Sequence, residues 1–256
     1  MKKALATVII LLSGILLQAG EPFFSAFKEN YVTTGIPLNA KPDWDTNDIL
    51  FQASVKMRVL SIKDWNFYAG YTQKCIWEIY KPSNPMASSI YNVSAFASHG
   101  GLNFGYEHRS NGLAGSDSRS LNYAFVSYAK TFSDIFSAKV SGRFGGASIG
   151  NDVSLELYNR YLGYVNVAAC LHSRDKRFMG TLSLTPIINE EVPCNINAEI
   201  AYKPLKDIEW FHIIVRYHYG YDENQLDCAN PDVFLKHMLR FGVAFQPSDI
   251  CHKLFD

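Results

Sequence analysis

Beyond its first 20 residues the chain has no apolar run approaching the roughly 18 residues that a membrane-crossing helix needs, which argues against a helical membrane protein. It also lacks an excess of either charge. Its 24 Lys and Arg balance 24 Asp and Glu, so there is no basic surplus to attract nucleic acid and no acidic tail to suggest disorder. Cysteine is sparse and odd in number: Cys75, Cys170, Cys194, Cys228 and Cys251, with no C-x-x-C and no histidine spacing of a zinc site. At least one thiol stays unpaired within a monomer, and the simplest reading is small apolar side chains, buried or facing the membrane. No domain boundary, low-complexity tract or internal repeat of 20 to 50 residues divides the chain.

What is abundant is aromatic and strand-forming. Tyr (15) and Phe (17) make up most of a 14% aromatic share, a composition suited to strands and to membrane interfaces. The N-terminus carries Lys2 and Lys3, an apolar stretch from Ala4 to Leu17 interrupted by Thr7, Ser13 and Gly14, and then Gln18-Ala19-Gly20. That is the pattern of a secretory signal peptide over residues 1–20, leaving 21–256 as one domain.

Period-two alternation recurs along that domain. Ile49, Phe51, Ala53, Val55, Met57 and Val59 share one face, with Gln52, Ser54, Lys56 and Arg58 on the other. Phe136, Ala138, Val140 and Phe144 oppose Ser137, Lys139, Ser141 and Arg143 in the same way, and residues 196–202 and 211–219 repeat the pattern. Short connections near 61–64, 98–100, 133–134, 173–176 and 203–208 alternate with longer polar ones near 37–48, 78–89, 110–120, 146–159, 188–193 and 222–234. With a first strand near 30–36 the count is twelve. An even number of half-polar antiparallel strands with this loop asymmetry predicts an all-β fold, a twelve-stranded antiparallel transmembrane β-barrel, apolar face to lipid and charged face inward. A soluble β-sandwich would alternate too, but would bury its apolar face against a second sheet.

One region carries chemistry. In Gly105-Tyr106-Glu107-His108-Arg109-Ser110-Asn111-Gly112, His108 and Ser110 are two residues apart and leave an extended strand from the same face. Asn122 follows a connection rich in Ser, Asn and Gly, which suits an antiparallel return beside the first strand. Nucleophile (Ser110), base (His108) and base-orienter (Asn122) are thus supplied by two strands. Asn122 shares a face with Ala124, Val126 and Tyr128, and Gln73 with Trp65, Phe67, Ala69 and Tyr71, so both polar groups fall on the lipid-facing surface. Polar groups there are expensive, and catalysis on a lipid would justify them. A neutral Asn stabilises imidazolium less than Asp would, so the oxyanion needs other help: the Ser110 amide is one donor and a bound cation a natural second.

These residues resemble the outer-membrane phospholipase A family. The resemblance rests on Tyr71-Thr72-Gln73-Lys74, on Gly105-Tyr106-x-His108-x-Ser110-Asn111-Gly112 and on Ser118-Arg119-Ser120-x-Asn122, with lesser support from Tyr161-Leu162-Gly163-Tyr164 and Gly220-Tyr221. It implies a twelve-stranded barrel with its active site on the outside wall, hydrolysing acyl esters of phospholipids and lysophospholipids (phospholipase A1, A2 and lysophospholipase activity). It further implies His108, Ser110 and Asn122 as catalytic residues, Gln73 as support for Asn122, dependence on Ca2+ and activation by homodimerisation. The calcium ligands it implies are the backbone carbonyl of Leu113, the hydroxyl of Ser118 and the partner subunit's Ser83. A second calcium position of the family falls at Gly115, where Asp117 is the substitute at hand.

The expectation is therefore a calcium-dependent phospholipase of the bacterial outer membrane with its site toward the outer leaflet, acting on membrane phospholipid as a homodimer and binding no nucleic acid. Two rivals stand beside it. One is a non-enzymatic pore or adhesin barrel; the other is a periplasmic esterase built on a soluble sandwich.

Overall fold

A computed structural model of the chain describes residues 23–38, 48–77, 86–112, 118, 120–147, 165–186, 194–208, 210–221 and 235–245. Among these residues there is no helix, and the membrane is crossed by strands: β1 (Phe24–Ser25), β2 (Asn30–Pro37), β3 (Ile49–Ile62), β4 (Trp65–Trp77), β5 (Met86–His99), β6 (Leu102–Ser110) and β7 (Ser120–Ser133). They continue as β8 (Phe136–Ala147), β9 (Val165–His172), β10 (Phe178–Pro186), β11 (Cys194–Tyr202), β12 (Phe211–Tyr221) and β13 (Leu235–Phe245). Both β1 and β2 pair with β3, so the two form a single stave interrupted by residues 26–29. Every later strand pairs antiparallel with the next, and β13 returns to β2, closing a ring of twelve staves. The predicted signal peptide lies outside the described residues.

The alternation sorts as expected. Val55, Val93, Phe104, Val126, Val140, Ile200 and Phe241 are exposed on the outer wall, while Gln52, Ser54, Lys56, Ser127, Lys139, Glu199 and Arg216 are buried in the lumen. A soluble sandwich would have covered that apolar face with a second sheet. Here one sheet closes on itself and leaves no free edge. Cys75, Cys170 and Cys194 are free thiols, the first two buried; Cys228 and Cys251 lie outside the described residues.

The interrupted first stave was not foreseen. Between β1 and β2 the chain dips into the lumen, where Phe27, Lys28 and Glu29 are all buried. Phe27 stacks on Phe96 at 4.8 Å, and Phe96 on Tyr68 at 5.0 Å. Lys28 and Glu29 then reach different walls. Lys28 Nζ lies 3.3 Å from Glu107 on β6, and Glu29 Oε2 lies 2.5 Å from Arg216 on β12, which also holds Glu199 at 2.6 Å. Strands β6 and β12 are half a turn apart in the ring, so two successive residues brace opposite sides of the barrel. The brace is itself anchored: Ser54 Oγ accepts the Lys28 amide at 3.0 Å, and Gln52 Nε2 donates to the Glu29 carbonyl at 2.8 Å. Arg240, 1% exposed, adds a two-pronged pair with Asp48 at 2.5 and 3.1 Å. Such charges persist in a lumen because each finds an opposite charge or a hydrogen bond.

Candidate active site

Strands β6 and β7 pair in the register His108↔Asn122, Ser110↔Ser120 and Tyr106↔Ala124. Directly opposed residues are the closest cross-strand neighbours, so the register alone brings the imidazole to the amide. His108 Nδ1 lies 2.9 Å from Asn122 Oδ1. An amide oxygen only accepts, so Nδ1 carries the proton and Nε2 keeps its lone pair, the tautomer a general base requires.

Ser110 ends β6 beside the 111–119 connection, on the same face as His108. Its Oγ accepts the Gly112 amide at 3.1 Å, and among the described residues no hydrogen bond joins it to His108. Gly112 adopts a positive φ of 70°, and a Cβ there would meet the Tyr91 ring at 2.7 Å. Glycine adopts this turn without strain, and in it the amide points at the nucleophile. Beside the Ser110 amide expected from the sequence, the structure puts a second backbone donor, the Gly112 amide, against Ser110 Oγ.

Gln73 is on the same outer wall but not in contact with Asn122. It pairs across β5 with Tyr91, which in turn pairs with Ser110, placing Gln73 in the row of the nucleophile two strands away. Its Nε2 contacts Ser89 Oγ at 3.4 Å and Cys75 Sγ at 3.5 Å, and its Oε1 accepts the Tyr71 hydroxyl at 3.4 Å. The residue that does reach Asn122 is Tyr106, whose hydroxyl donates to Asn122 Oδ1 at 2.5 Å. The signal was available in sequence: an aromatic two residues before His108 on the same strand face.

Behind the site, the inward face of the same strands is tied down. Glu107 accepts from the Tyr123 hydroxyl and contacts Lys28 and Arg109; Arg109 Nε donates to Asn92 Oδ1 at 3.2 Å. This network fixes β5, β6 and β7 relative to one another and so fixes the register that sets the outward trio.

Of the residues tied by resemblance to calcium, Ser118 is described and half-buried at the return into β7, while Leu113 and Ser83 lie outside the described residues, as do Gly115 and Asp117. The donor set of a carbonyl and two hydroxyls is all oxygen and so suits a hard cation in kind. It brings no carboxylate, and among the described residues no three His, Cys, Asp or Glu converge on a metal position. Such a site would hold calcium weakly and depend on water ligands.

Comparison with known proteins gives the family of the chain and agrees with its fold. The family model described as phospholipase A1 matches residues 23–235. The outer membrane phospholipase A of Escherichia coli superimposes with a TM-score of 0.70 at 19% identity, covering 88% of this chain and 95% of its own. The outer membrane phospholipase of Salmonella typhi, a dimer with bound calcium, superimposes at 0.72 with 18% identity, covering 91% and 96%. No curated protein sequence matches the chain.

Proposed function

The chain belongs to the phospholipase A1 family and is a lipid-hydrolysing outer-membrane β-barrel, and from that premise we propose that it cleaves acyl esters of phospholipids and lysophospholipids by a Ser110–His108–Asn122 triad on its lipid-facing wall. The observation that carries the reading is the 2.9 Å contact of His108 Nδ1 with Asn122 Oδ1 on a surface where a soluble enzyme would have no reason to place it.

In the reaction His108 Nε2 takes the proton of Ser110 as Oγ attacks the ester carbonyl, and Asn122 holds the ring in the reactive tautomer. The Gly112 amide, already aimed at Ser110 Oγ, donates to the oxyanion, and His108 returns its proton to the leaving alcohol. Water, activated by the same imidazole, then releases the fatty acid and restores Ser110. Val93, paired with His108 and 55% exposed, leaves an apolar wall beside the scissile bond for an acyl chain.

Calcium and dimerisation belong to the same proposal, supported by the Salmonella relative's being a calcium-bound dimer. The Leu113 carbonyl, the Ser118 hydroxyl and the partner subunit's Ser83 would hold the ion. When bound, it supplies positive charge that offsets the charge developing on the carbonyl oxygen. The longer connections in the sequence at the Ser110 end support a site toward the outer leaflet, by the loop asymmetry general to such barrels. A signal peptide over residues 1–20 would deliver the chain there.

The pore alternative is disfavoured by the lumen, which Lys28 and Glu29 cross from wall to wall. A long-chain phosphonofluoridate ester tests the nucleophile. It should form one adduct, mapped by mass spectrometry to Ser110; labelling elsewhere, or equal labelling of Ser110→Ala, would refute the assignment.

A further inference from the structure

Tyr106 presents a hydroxyl on the outer wall, four residues below Ser110 on β6 and 49% exposed. A phenol there has little to bond with except protein, and an unbonded hydroxyl in hydrocarbon is costly. Its partner is Asn122 Oδ1, at 2.5 Å, the same atom that receives His108 Nδ1–H at 2.9 Å. Tyr106 reaches it along the diagonal, because its direct partner on β7 is Ala124. On the other side its partner on β5 is Ala95. Small residues on both flanks leave room for the ring to lean toward Asn122.

The consequence concerns an ambiguity built into any amide orienter. A carboxamide can present either its oxygen or its nitrogen, and the two orientations have opposite effects on the neighbouring imidazole. With the oxygen forward, Nδ1 must carry the proton and Nε2 is basic. With the amide nitrogen forward, Nδ1 becomes the acceptor, the proton moves to Nε2, and the base is lost. Tyr106 opposes the flip: its oxygen could accept from the amide nitrogen, but its own proton would then be left unbonded in hydrocarbon. Resting on the triad reading, we propose that Tyr106 is a positioning residue that locks the Asn122 amide oxygen-forward and thereby sets the His108 tautomer.

The test compares Tyr106→Phe in two backgrounds with a dispersed phospholipid as substrate. In the wild-type background it should lower kcat about tenfold with KM within about twofold, since the hydroxyl is engaged by Asn122 Oδ1 and acts through it. In the Asn122→Asp background, where both carboxylate oxygens are acceptors and a flip changes nothing, the same substitution should cost less than about twofold. An equal loss in both backgrounds, a change confined to KM, or no loss at all would overturn the proposal. Should Asn122→Asp be too slow to assay, 15N shifts of histidine in the detergent-solubilised barrel decide. His108 should be Nδ1-protonated in the wild type and lose that single tautomer in Tyr106→Phe; an unchanged tautomer would refute the locking role. If instead Ser110→Ala retains activity, the triad itself is wrong, an outcome separate from any result at Tyr106.

Discussion

Glu107 is where the barrel's construction and its site are most closely joined, and removing its charge should show it. The carboxylate is buried between two cations, Lys28 at 3.3 Å and Arg109 at 3.4 Å, with side-chain exposures of 4% and 15% against its own 5%. Glu107→Gln keeps the shape and the Tyr123 contact but leaves two cations facing a neutral amide. Breaking a buried pair from one side costs about 3–5 kcal/mol, and the lower figure applies because Arg109 keeps some access to water. Lys28→Met is milder, on the order of 1 kcal/mol, because Glu107 retains Arg109 and the Tyr123 hydroxyl. The double variant removes one charge of each sign and should fall between them. The assay is urea unfolding of the refolded barrel in lipid vesicles, followed by tryptophan fluorescence. Additive single and double values, agreeing within about 0.5 kcal/mol, or a Glu107→Gln no less stable than Lys28→Met, would refute the brace.

Two further outcomes follow from the same structure. Val126→Arg, at the middle of β7 on the outer wall and 41% exposed, should cost about 2–4 kcal/mol in vesicles, whereas an unchanged midpoint would contradict the lipid-facing assignment. Ser118→Ala should raise the calcium concentration needed for half-maximal lipase activity at least severalfold, because a site built from neutral oxygens has few donors to spare; an unshifted requirement would remove Ser118 from the ligand set.

The staves were legible because lipid on one side and polar lumen on the other force a two-residue period on each strand, as 49–58 shows. The pairing of His108 with Asn122 was legible for a related reason. The antiparallel return of β7 beside β6 sets the register, and register fixes opposition. Residues 26–29 were not legible, since Phe27-Lys28-Glu29 has no period and its partners, Glu107 and Arg216, lie 79 and 187 positions away. Gln73 shows the limit from the other direction. Its face followed from alternation, but which polar group it meets depends on a shift of two strands that no local pattern records. Tyr106 was visible as a motif residue; its diagonal reach became apparent only once Ala95 and Ala124 were seen to flank it.

The most direct measurement is release of fatty acid from a detergent-dispersed phospholipid by the refolded wild type and by Ser110→Ala, each with calcium and with excess chelator. The account predicts release by the wild type in calcium, with loss of about a thousandfold or more in Ser110→Ala and near silence in chelator. Release by a properly folded Ser110→Ala at the wild-type rate would contradict its central claim.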